Sequence, residues 1–241
     1  DEEEGRAESE ILLTHLLEFG TTELFASLRA PFPAERRDDL LNALVRRIQH
    51  EPMRYITGSC PFYGRDFNVD PRVLIPRPET ELLIDQALAW AEETHAKTLR
   101  VADIGTGSGV IAITLARELT LPEVHAVDIS PGALEVASGN AVRLAGPVGV
   151  TFHEGNLAEP LDGHFDILVA NLPYVRLQTL EDAAPELAQE PRGALDGGVT
   201  GMDVIDRLVP MLAEVMNPNR SLVLLEIDPP DRKSTRLNSS H

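Results

Sequence analysis

The chain has 241 residues, 43% of them hydrophobic and 25% charged, and it carries a formal net charge of −18 at pH 7. The length leaves room for one large domain, alone or with a small second one, and the composition is typical of a globular protein. The single cysteine, Cys60, rules out an internal disulfide. The lack of a long apolar run and of a signal-peptide pattern argues against a membrane span, and these features together predict a cytoplasmic protein.

The acidic charge bears on the kind of partner. Such a surface repels a phosphate backbone unless basic residues are segregated, and the arginines here are scattered along the chain. The charge therefore predicts a protein or small-molecule partner and no stable complex with nucleic acid. The alternative is that the acidity only keeps the protein in solution. A monomer is expected.

Residues 1–52 predict a small helical domain. Apolar residues recur at helical spacing in ESEILLTHLLEF, which stops at Gly20, and in TTELFASL, where Thr21 or Thr22 is the expected N-cap. A third helix is predicted within PFPAERRDDLLNALVRRIQH. The apolar face of this third helix consists of Leu40, Leu41, Leu44, Val45 and Ile48.

A β-hairpin linker is predicted over residues 53–76. Aromatic and apolar residues there flank a Gly-Ser-Cys-Pro turn, in which Cys60 is interpreted as structural. A helix is expected to begin near Pro78, because Glu79 and Glu81 would then face the positive end of its dipole.

From residue 98 the pattern alternates strands with helices. The strands are near-continuous apolar runs, as buried parallel strands are. This predicts an α/β fold with a doubly wound, Rossmann-like sheet, within a domain over residues 77–230. Residues 231–241 lack apolar periodicity and are interpreted as a non-native tail. The last C-terminal strands of the sheet would then be missing, which would leave an exposed sheet edge.

A glycine-rich loop follows the first of these strands. Its glycines permit a tight turn and the close approach of a ligand to bare backbone. The second strand ends in Asp128, whose carboxylate can accept both hydroxyls of a ribose, and Asn156 and Leu157 after the third strand could bind an adenine. Together these features predict a nucleoside-containing cofactor. The loop residues assigned to the cofactor site are Asp103, Gly105, Thr106, Gly107, Ser108 and Gly109.

Each part of this pattern also has a simpler explanation. The glycine loop alone could be a structural tight turn, and Asp128 or Ser130 could serve only as a helix N-cap. The loop and the acid at matched strand ends are more informative than either feature alone.

The fourth strand ends in Asn171-Leu172-Pro173-Tyr174. The Asn171 side-chain oxygen and the Leu172 carbonyl could converge as two acceptors for one NH2 group, because Pro173 holds the preceding backbone extended. Tyr174 would add a flat wall. An amide held in this way could attack a sulfonium methyl by positioning and electrostatics alone. The alternative is a structural Asn-Pro turn that ends the strand.

These motifs resemble the HemK-type protein-glutamine methyltransferases, which use S-adenosylmethionine to methylate the glutamine side-chain amide of the Gly-Gly-Gln motif in peptide chain release factors. The resemblance covers roughly residues 10–228. It is carried by EPMRYITGSCPFYGRDFNVDPRVLIPRPETELL, DIGTGSGVIAITLA, NLPYV and EPRGALDGGVTGMDVIDRL, of which the first is the most specific.

The resemblance implies that the doubly wound sheet is of the class I methyltransferase kind, and it implies roles for the candidate site residues. Residues 105–109 would wrap the methionine part of the cofactor, Asp128 would hold the ribose, and Asn156 and Leu157 would lie by the adenine. The acceptor glutamine would be held by the segment 171–174, with Asn171 also bordering the cofactor. The N-terminal helical domain would engage the release factor.

The chain departs from the family pattern at three positions. Leu172 stands where the family usually has Pro, which removes the rigidity of a Pro-Pro pair but keeps the backbone carbonyl. Asn156 replaces a usual Asp and is expected to weaken cofactor binding. Asp228 stands where Gly is common.

Three other functions stay open on the sequence. A ribosomal-protein glutamine methyltransferase shares the chemistry, an adenine-N6 DNA methyltransferase would use the same two acceptors, and a non-catalytic cofactor-binding fragment would explain Leu172 and the missing strands. No metal site is predicted, because His125 and His153 lie in strands without a partner at ligand spacing.

Overall fold

The structure is a computed structural model that describes residues 2–95, 98–120, 122–146, 149–181 and 183–227. The predicted non-native tail, residues 231–241, and Asp228 lie outside the described residues. Within the described ranges, every helix is too short or too polar to cross a bilayer. The predicted domain boundaries at residues 52, 76 and 230 stay predictions.

The chain begins with four helices. They are α1 (Glu2–Leu17), α2 (Thr21–Ser27), α3 (Arg37–Ile48) and α4 (Met53–Thr57). The core shared by α1, α3 and α4 is small and consists of the buried residues Leu12, Leu16, Ala43, Met53 and Ile56. The expected N-cap of α2 was wrong, because Gly20 occupies that position and both threonines lie inside the helix.

The expected apolar face of α3 is not a core face. Ala43 is the buried residue of this helix, and Leu40 is half-buried. The other four members of the face are exposed: Leu41, Leu44, Val45 and Ile48. The helical spacing was therefore predicted correctly, but the described residues cover only one edge of the stripe.

A two-stranded antiparallel hairpin follows, formed by β1 (Ser59–Phe62) and β2 (Arg65–Asn68). Its turn lies at Tyr63 and Gly64, which both have positive φ, as a tight two-residue hairpin turn requires. The predicted Gly-Ser-Cys-Pro turn was wrong. Gly58 ends α4 in a left-handed conformation, and Cys60 lies inside β1, buried and opposite Phe67.

The remaining elements alternate, as predicted. The helices are α5 (Glu81–Thr94, after a single turn of 3-10 helix at Pro78–Thr80), α6 (Val110–Glu118), α7 (Pro131–Leu144), α8 (Leu177–Glu181) and α9 (Asp203–Val215). The strands are β3 (Leu99–Ile104), β4 (Pro122–Asp128), β5 (Thr151–Glu154), β6 (Ile167–Ala170) and β7 (Leu222–Leu225). They form one parallel sheet in the order β5-β4-β3-β6-β7.

Helices cover both faces of this sheet. In β3, Val101 packs into one core with residues of α5 and α6, while Ile104 packs into a second core with residues of α9. Successive side chains of a strand point to opposite faces, so apolar residues in both cores make the strand continuously apolar. The predicted fold class, a doubly wound α/β sheet with a small helical N-terminal region, is confirmed.

The order of the strands brings distant loops together. β3 is the central strand, with Ile104 paired to Val127 of β4 on one side and to Ala170 of β6 on the other. The chain leaves β3 towards β4 and returns later to β6, so the topology switches between β3 and β6. Ligands bind at the carboxyl ends of strands at such a point.

Candidate active site

A cavity of about 560 Å³ opens at the carboxyl ends of β3, β4 and β6. Part of its wall comes from the linker around Arg77 and part from the segment that follows Glu190. The predicted site residues that line it are Gly105, Thr106, Gly107, Ser108, Asp128, Asn156, Leu157, Asn171, Leu172 and Pro173. Among the described residues, the predicted site residues Asp103, Gly109 and Tyr174 lie outside this lining.

The glycine loop is held tightly against the end of β4. The backbone N–H groups of Gly105 and Thr106 both donate to the Val127 carbonyl, at 2.8 and 2.9 Å. A Cβ at Gly105 would lie 3.0 Å from the Leu172 side chain, so this glycine allows the segment after β6 to approach. At Gly107 a Cβ would meet no described heavy atom within 4 Å. The Cα of Gly107, which lines the cavity, therefore leaves open space where a side chain would stand.

Asp103 lies beneath this loop and is fully buried. Its Oδ2 accepts from the Thr106 hydroxyl at 2.6 Å and from the Ala112 N–H at 3.1 Å, while its Oδ1 has no partner among the described residues. Burial raises the pKa of this carboxyl to about 7, with a smaller contribution from the charge of Asp128. Asp103 thus shapes the loop from below, and its predicted contact with the cofactor stays a prediction.

Asp128 ends β4 at the cavity wall. One carboxylate oxygen accepts from the Gly107 N–H and the other from the Ser130 N–H, both at 2.9 Å. Ser130 is the N-cap of α7, since its hydroxyl accepts from the Ala133 N–H at 3.2 Å. Burial raises the pKa of Asp128, and bonds from backbone N–H groups oppose that rise. Each oxygen keeps a lone pair for a further donor, such as a ribose hydroxyl.

Asn156 is engaged at both ends of its amide. Its oxygen accepts from Arg207 at 2.6 Å, and its nitrogen donates to Glu159 at 2.6 Å. Each end keeps capacity for one further hydrogen bond, such as one to an adenine. Leu157 is buried and has a positive φ of 54°. The predicted adenine contacts of both residues stay predictions.

Asn171 follows β6 directly and borders the glycine loop. Its amide nitrogen donates to the Thr80 hydroxyl at 3.1 Å, and Thr80 donates to Glu226 at 2.7 Å. Leu172 is buried and packs over Gly105. The Tyr174 hydroxyl donates to Glu226 at 3.1 Å. Tyr174 was expected to form a wall of the cavity, but its hydroxyl is drawn towards the end of β7 instead.

Two segments singled out by the resemblance meet at the cavity wall. Arg77, in the linker, contacts Glu190 at 2.5 Å although the two lie 113 residues apart in the chain. The other Glu190 oxygen accepts from the Ile75 N–H at 3.1 Å. The Glu190 side chain is only 4% exposed. This ion pair, with its carboxylate buried, fixes the linker against the segment between α8 and α9.

Five residues of this arrangement were not predicted from the sequence: Arg77, Thr80, Glu190, Arg207 and Glu226. All of them except Glu226 lie within segments noted for their family resemblance, which was the available signal. No local pattern connects them, because each partner lies on a different element.

The sequence shows no partner at ligand spacing for His125 and His153, but the fold brings these two residues together. They lie on the neighbouring strands β4 and β5, with stacked rings and with Nδ1 and Nε2 only 2.8 Å apart. His125 also contacts Glu123 at 2.8 Å. Neither histidine belongs to the lining of the cavity among the residues described.

Comparisons with known proteins agree on one family. The model of the methyltransferase small domain matches residues 80–217, and the model of the PrmC N-terminal domain matches residues 1–58. A Geobacter sulfurreducens protein named release factor glutamine methyltransferase is 41% identical over 224 residues, covering 92% of this chain and 77% of the relative. A Koribacter versatilis protein of the same name is 41% identical over 216 residues, covering 88% and 76%.

A solved structure shares the fold at much lower identity. The hMettl16 catalytic domain in complex with MAT2A 3′UTR hairpin 6 aligns with a TM-score of 0.51 and 14% identity, covering 76% of this chain and 64% of that chain. At this level of identity the likeness concerns the fold alone.

Proposed function

The chain belongs to the family of release factor glutamine methyltransferases, and we propose that it methylates the glutamine side-chain amide in the Gly-Gly-Gln motif of a peptide chain release factor. The enzyme class and the cofactor expected from the sequence are confirmed by this membership: the protein is a methyltransferase that uses S-adenosylmethionine.

The cavity suits this cofactor. Gly107 lines the cavity with open space where a side chain would stand, and Asp128 keeps lone pairs for hydroxyl donors. Residues 105–109 and Asp128 would hold the cofactor. When bound, S-adenosylmethionine supplies a methyl group on a positively charged sulfur.

Asn171 carries the proposed chemistry. Its amide nitrogen is occupied by Thr80, so the amide oxygen is the end available to a substrate. That oxygen and the Leu172 carbonyl would accept the two N–H bonds of a glutamine amide. Accepting both N–H bonds orients the nitrogen lone pair and weakens its delocalisation into the carbonyl. Catalysis then consists of positioning and electrostatic stabilisation.

The release factor is proposed to contact the N-terminal helices as well. The exposed apolar side chains Leu41, Leu44, Val45 and Ile48 form a continuous stripe on α3 that a protein partner can cover. The net charge of −18 favours a protein over a nucleic acid as substrate. A monomeric, cytoplasmic enzyme is part of the same proposal.

Transfer of labelled methyl to a purified release factor tests the proposal. The matched control is the release factor with its Gly-Gly-Gln motif changed to Gly-Gly-Ala. We expect label on the first and none on the second. Equal labelling of both would place the acceptor elsewhere, and label only on a ribosomal protein offered in parallel would contradict the release factor as substrate. Labelling of adenine in duplex DNA would point to the nucleic-acid alternative.

A further inference from the structure

A hydrogen-bond chain supports Asn171 from behind. The Asn171 amide nitrogen lies 3.1 Å from Thr80 Oγ1, and this oxygen lies 2.7 Å from Glu226 Oε2. The second oxygen, Glu226 Oε1, accepts from the Tyr174 hydroxyl at 3.1 Å. One carboxylate therefore connects to both ends of the segment 171–174.

The donors and acceptors in this series of hydrogen bonds allow it to run in one direction only, from Asn171 through Thr80 to Glu226. A carboxylate accepts hydrogen bonds, so the single proton of the Thr80 hydroxyl is used on Glu226. The Thr80 oxygen can then only accept from Asn171, and an amide can meet an acceptor only with its nitrogen. Because Glu226 takes the Thr80 proton, the Asn171 amide must direct its nitrogen towards Thr80 and its oxygen away from it.

Both supporting residues are held rigidly. Thr80 is only 2% exposed and lies in the 3-10 turn that precedes α5. Glu226 follows β7, and its backbone N–H donates to the Ala170 carbonyl at 3.0 Å, directly before Asn171. The Thr80 side chain is therefore enclosed, and the backbone bond of Glu226 fixes the point from which its side chain reaches Thr80. Thr80 also lines the cavity, so the chain reaches the edge of the site.

We propose that Thr80 and Glu226 are positioning residues for methyl transfer, because they lock the Asn171 amide with its oxygen towards the acceptor glutamine. This inference rests on the proposed function. Without the lock the Asn171 amide can rotate by half a turn and present N–H groups to the N–H groups of the substrate. Glu226, through Tyr174, also tethers the far end of the same segment.

Thr80→Val and Glu226→Gln test the inference. Valine keeps the shape of threonine but loses the hydroxyl, and we expect kcat to fall about 10-fold. A glutamine at position 226 can donate to the Thr80 oxygen, which frees the Thr80 hydroxyl to donate to the Asn171 oxygen. For Glu226→Gln we therefore expect kcat to fall about 10-fold to 100-fold. Thr80→Ser keeps the hydroxyl, so this variant should retain most of the wild-type kcat.

The measurements separate positioning from a merely structural role. The dissociation constant of S-adenosylmethionine and the unfolding midpoint should change little in the two variants, while kcat falls. In the Asn171→Ala background, Thr80→Val should cause no further loss, since its effect passes through Asn171. Wild-type kcat in Thr80→Val, or equal losses in both backgrounds, would overturn the inference.

A crystal structure provides a readout that does not depend on activity. At a resolution that distinguishes the amide atoms by their partners, we expect the Asn171 side chain of Glu226→Gln or Thr80→Val to adopt a second orientation. A single unchanged orientation in both variants would overturn the inference even for an enzyme with another acceptor. Absence of methyl transfer by the wild-type protein would count against the proposed function instead.

Discussion

The carboxyl edge of the sheet and the N-terminal helices differ in what covers their side chains. At the sheet edge even carboxyl groups are buried: Glu190 is paired with Arg77, and Asp103 lies beneath the glycine loop. On α3, apolar side chains stay exposed, with Leu41 at 59% and Ile48 at 77%. Buried polar groups join the segments of the first region, as a site of fixed geometry requires, whereas the second region leaves apolar surface for a partner.

The largest expected effect is a loss of methyl-transfer rate on changing a residue at the carboxyl edge of the sheet. Asn171→Ala removes the side-chain acceptor for the glutamine amide, and we expect methyl transfer to fall by about 100-fold to 1,000-fold. Asn219→Ala, at an exposed turn, is the matched control and should leave the rate unchanged. Initial rates of labelled-methyl transfer measure both. A rate within about 3-fold of wild type for Asn171→Ala would contradict the assigned role.

The ion pairs of the two regions should differ in their contribution to stability. Arg77→Met leaves the buried Glu190 carboxylate without its charged partner, and we expect the free energy of unfolding to fall by about 3 kcal/mol. Arg6→Met breaks the exposed Arg6–Glu10 pair of α1, and we expect a loss below about 0.5 kcal/mol. Urea unfolding measures both variants. Similar losses of unfolding free energy would contradict the proposed difference between the buried and the exposed ion pair.

Asp103 should make stability depend on pH. Burial raises its folded-state pKa to about 7, above the value of about 3.9 in an unfolded chain. The carboxyl therefore destabilises the folded state above about pH 7, and this cost is relieved as the pH falls from about 7 towards about 4. Relative to Asp103→Asn, the wild type should gain about 2 kcal/mol between about pH 7.5 and about pH 5.5.

Parallel urea titrations of the wild type and Asp103→Asn at these pH values check that sign. Burial also raises the pKa of Asp128, which both proteins retain, so its contribution largely cancels in the difference. A difference that stays constant with pH would contradict the buried, proton-binding carboxyl.

The smallest expected effect is on the N-terminal helices. Leu44→Glu with Ile48→Glu should raise KM for a release factor about 10-fold, because the apolar stripe of α3 would no longer be covered favourably. The free energy of unfolding should stay within about 0.5 kcal/mol, since both positions are exposed. Val142→Glu, at a position of α7 that is 91% exposed, is the matched control. Equal KM values for the α3 double variant and Val142→Glu would contradict a role of the apolar stripe in binding the release factor.

Local patterns in the sequence determined much of the fold. The alternation of apolar strands with amphipathic helices depends on neighbouring residues, so the alternating series that begins at residue 98 was predicted from local patterns alone. The glycine loop and Asn171 stand at strand ends, and the rule for doubly wound sheets then places them side by side. The hairpin turn was predicted at the wrong residues, because Tyr63 adopts a left-handed conformation that is uncommon for tyrosine and cannot be predicted from its residue type.

Only the tertiary structure decided how the site is held. Thr80 and Glu226 lie 146 residues apart, and Arg77 and Glu190 lie 113 residues apart, so no periodicity relates them. These contacts depend on strand register and on how the linker packs over the sheet. The same holds for α3, whose apolar spacing the sequence determined but whose burial depends on what packs against it. A sequence specifies which elements form through local interactions, whereas the orientation of one amide depends on partners that only the folded chain assembles.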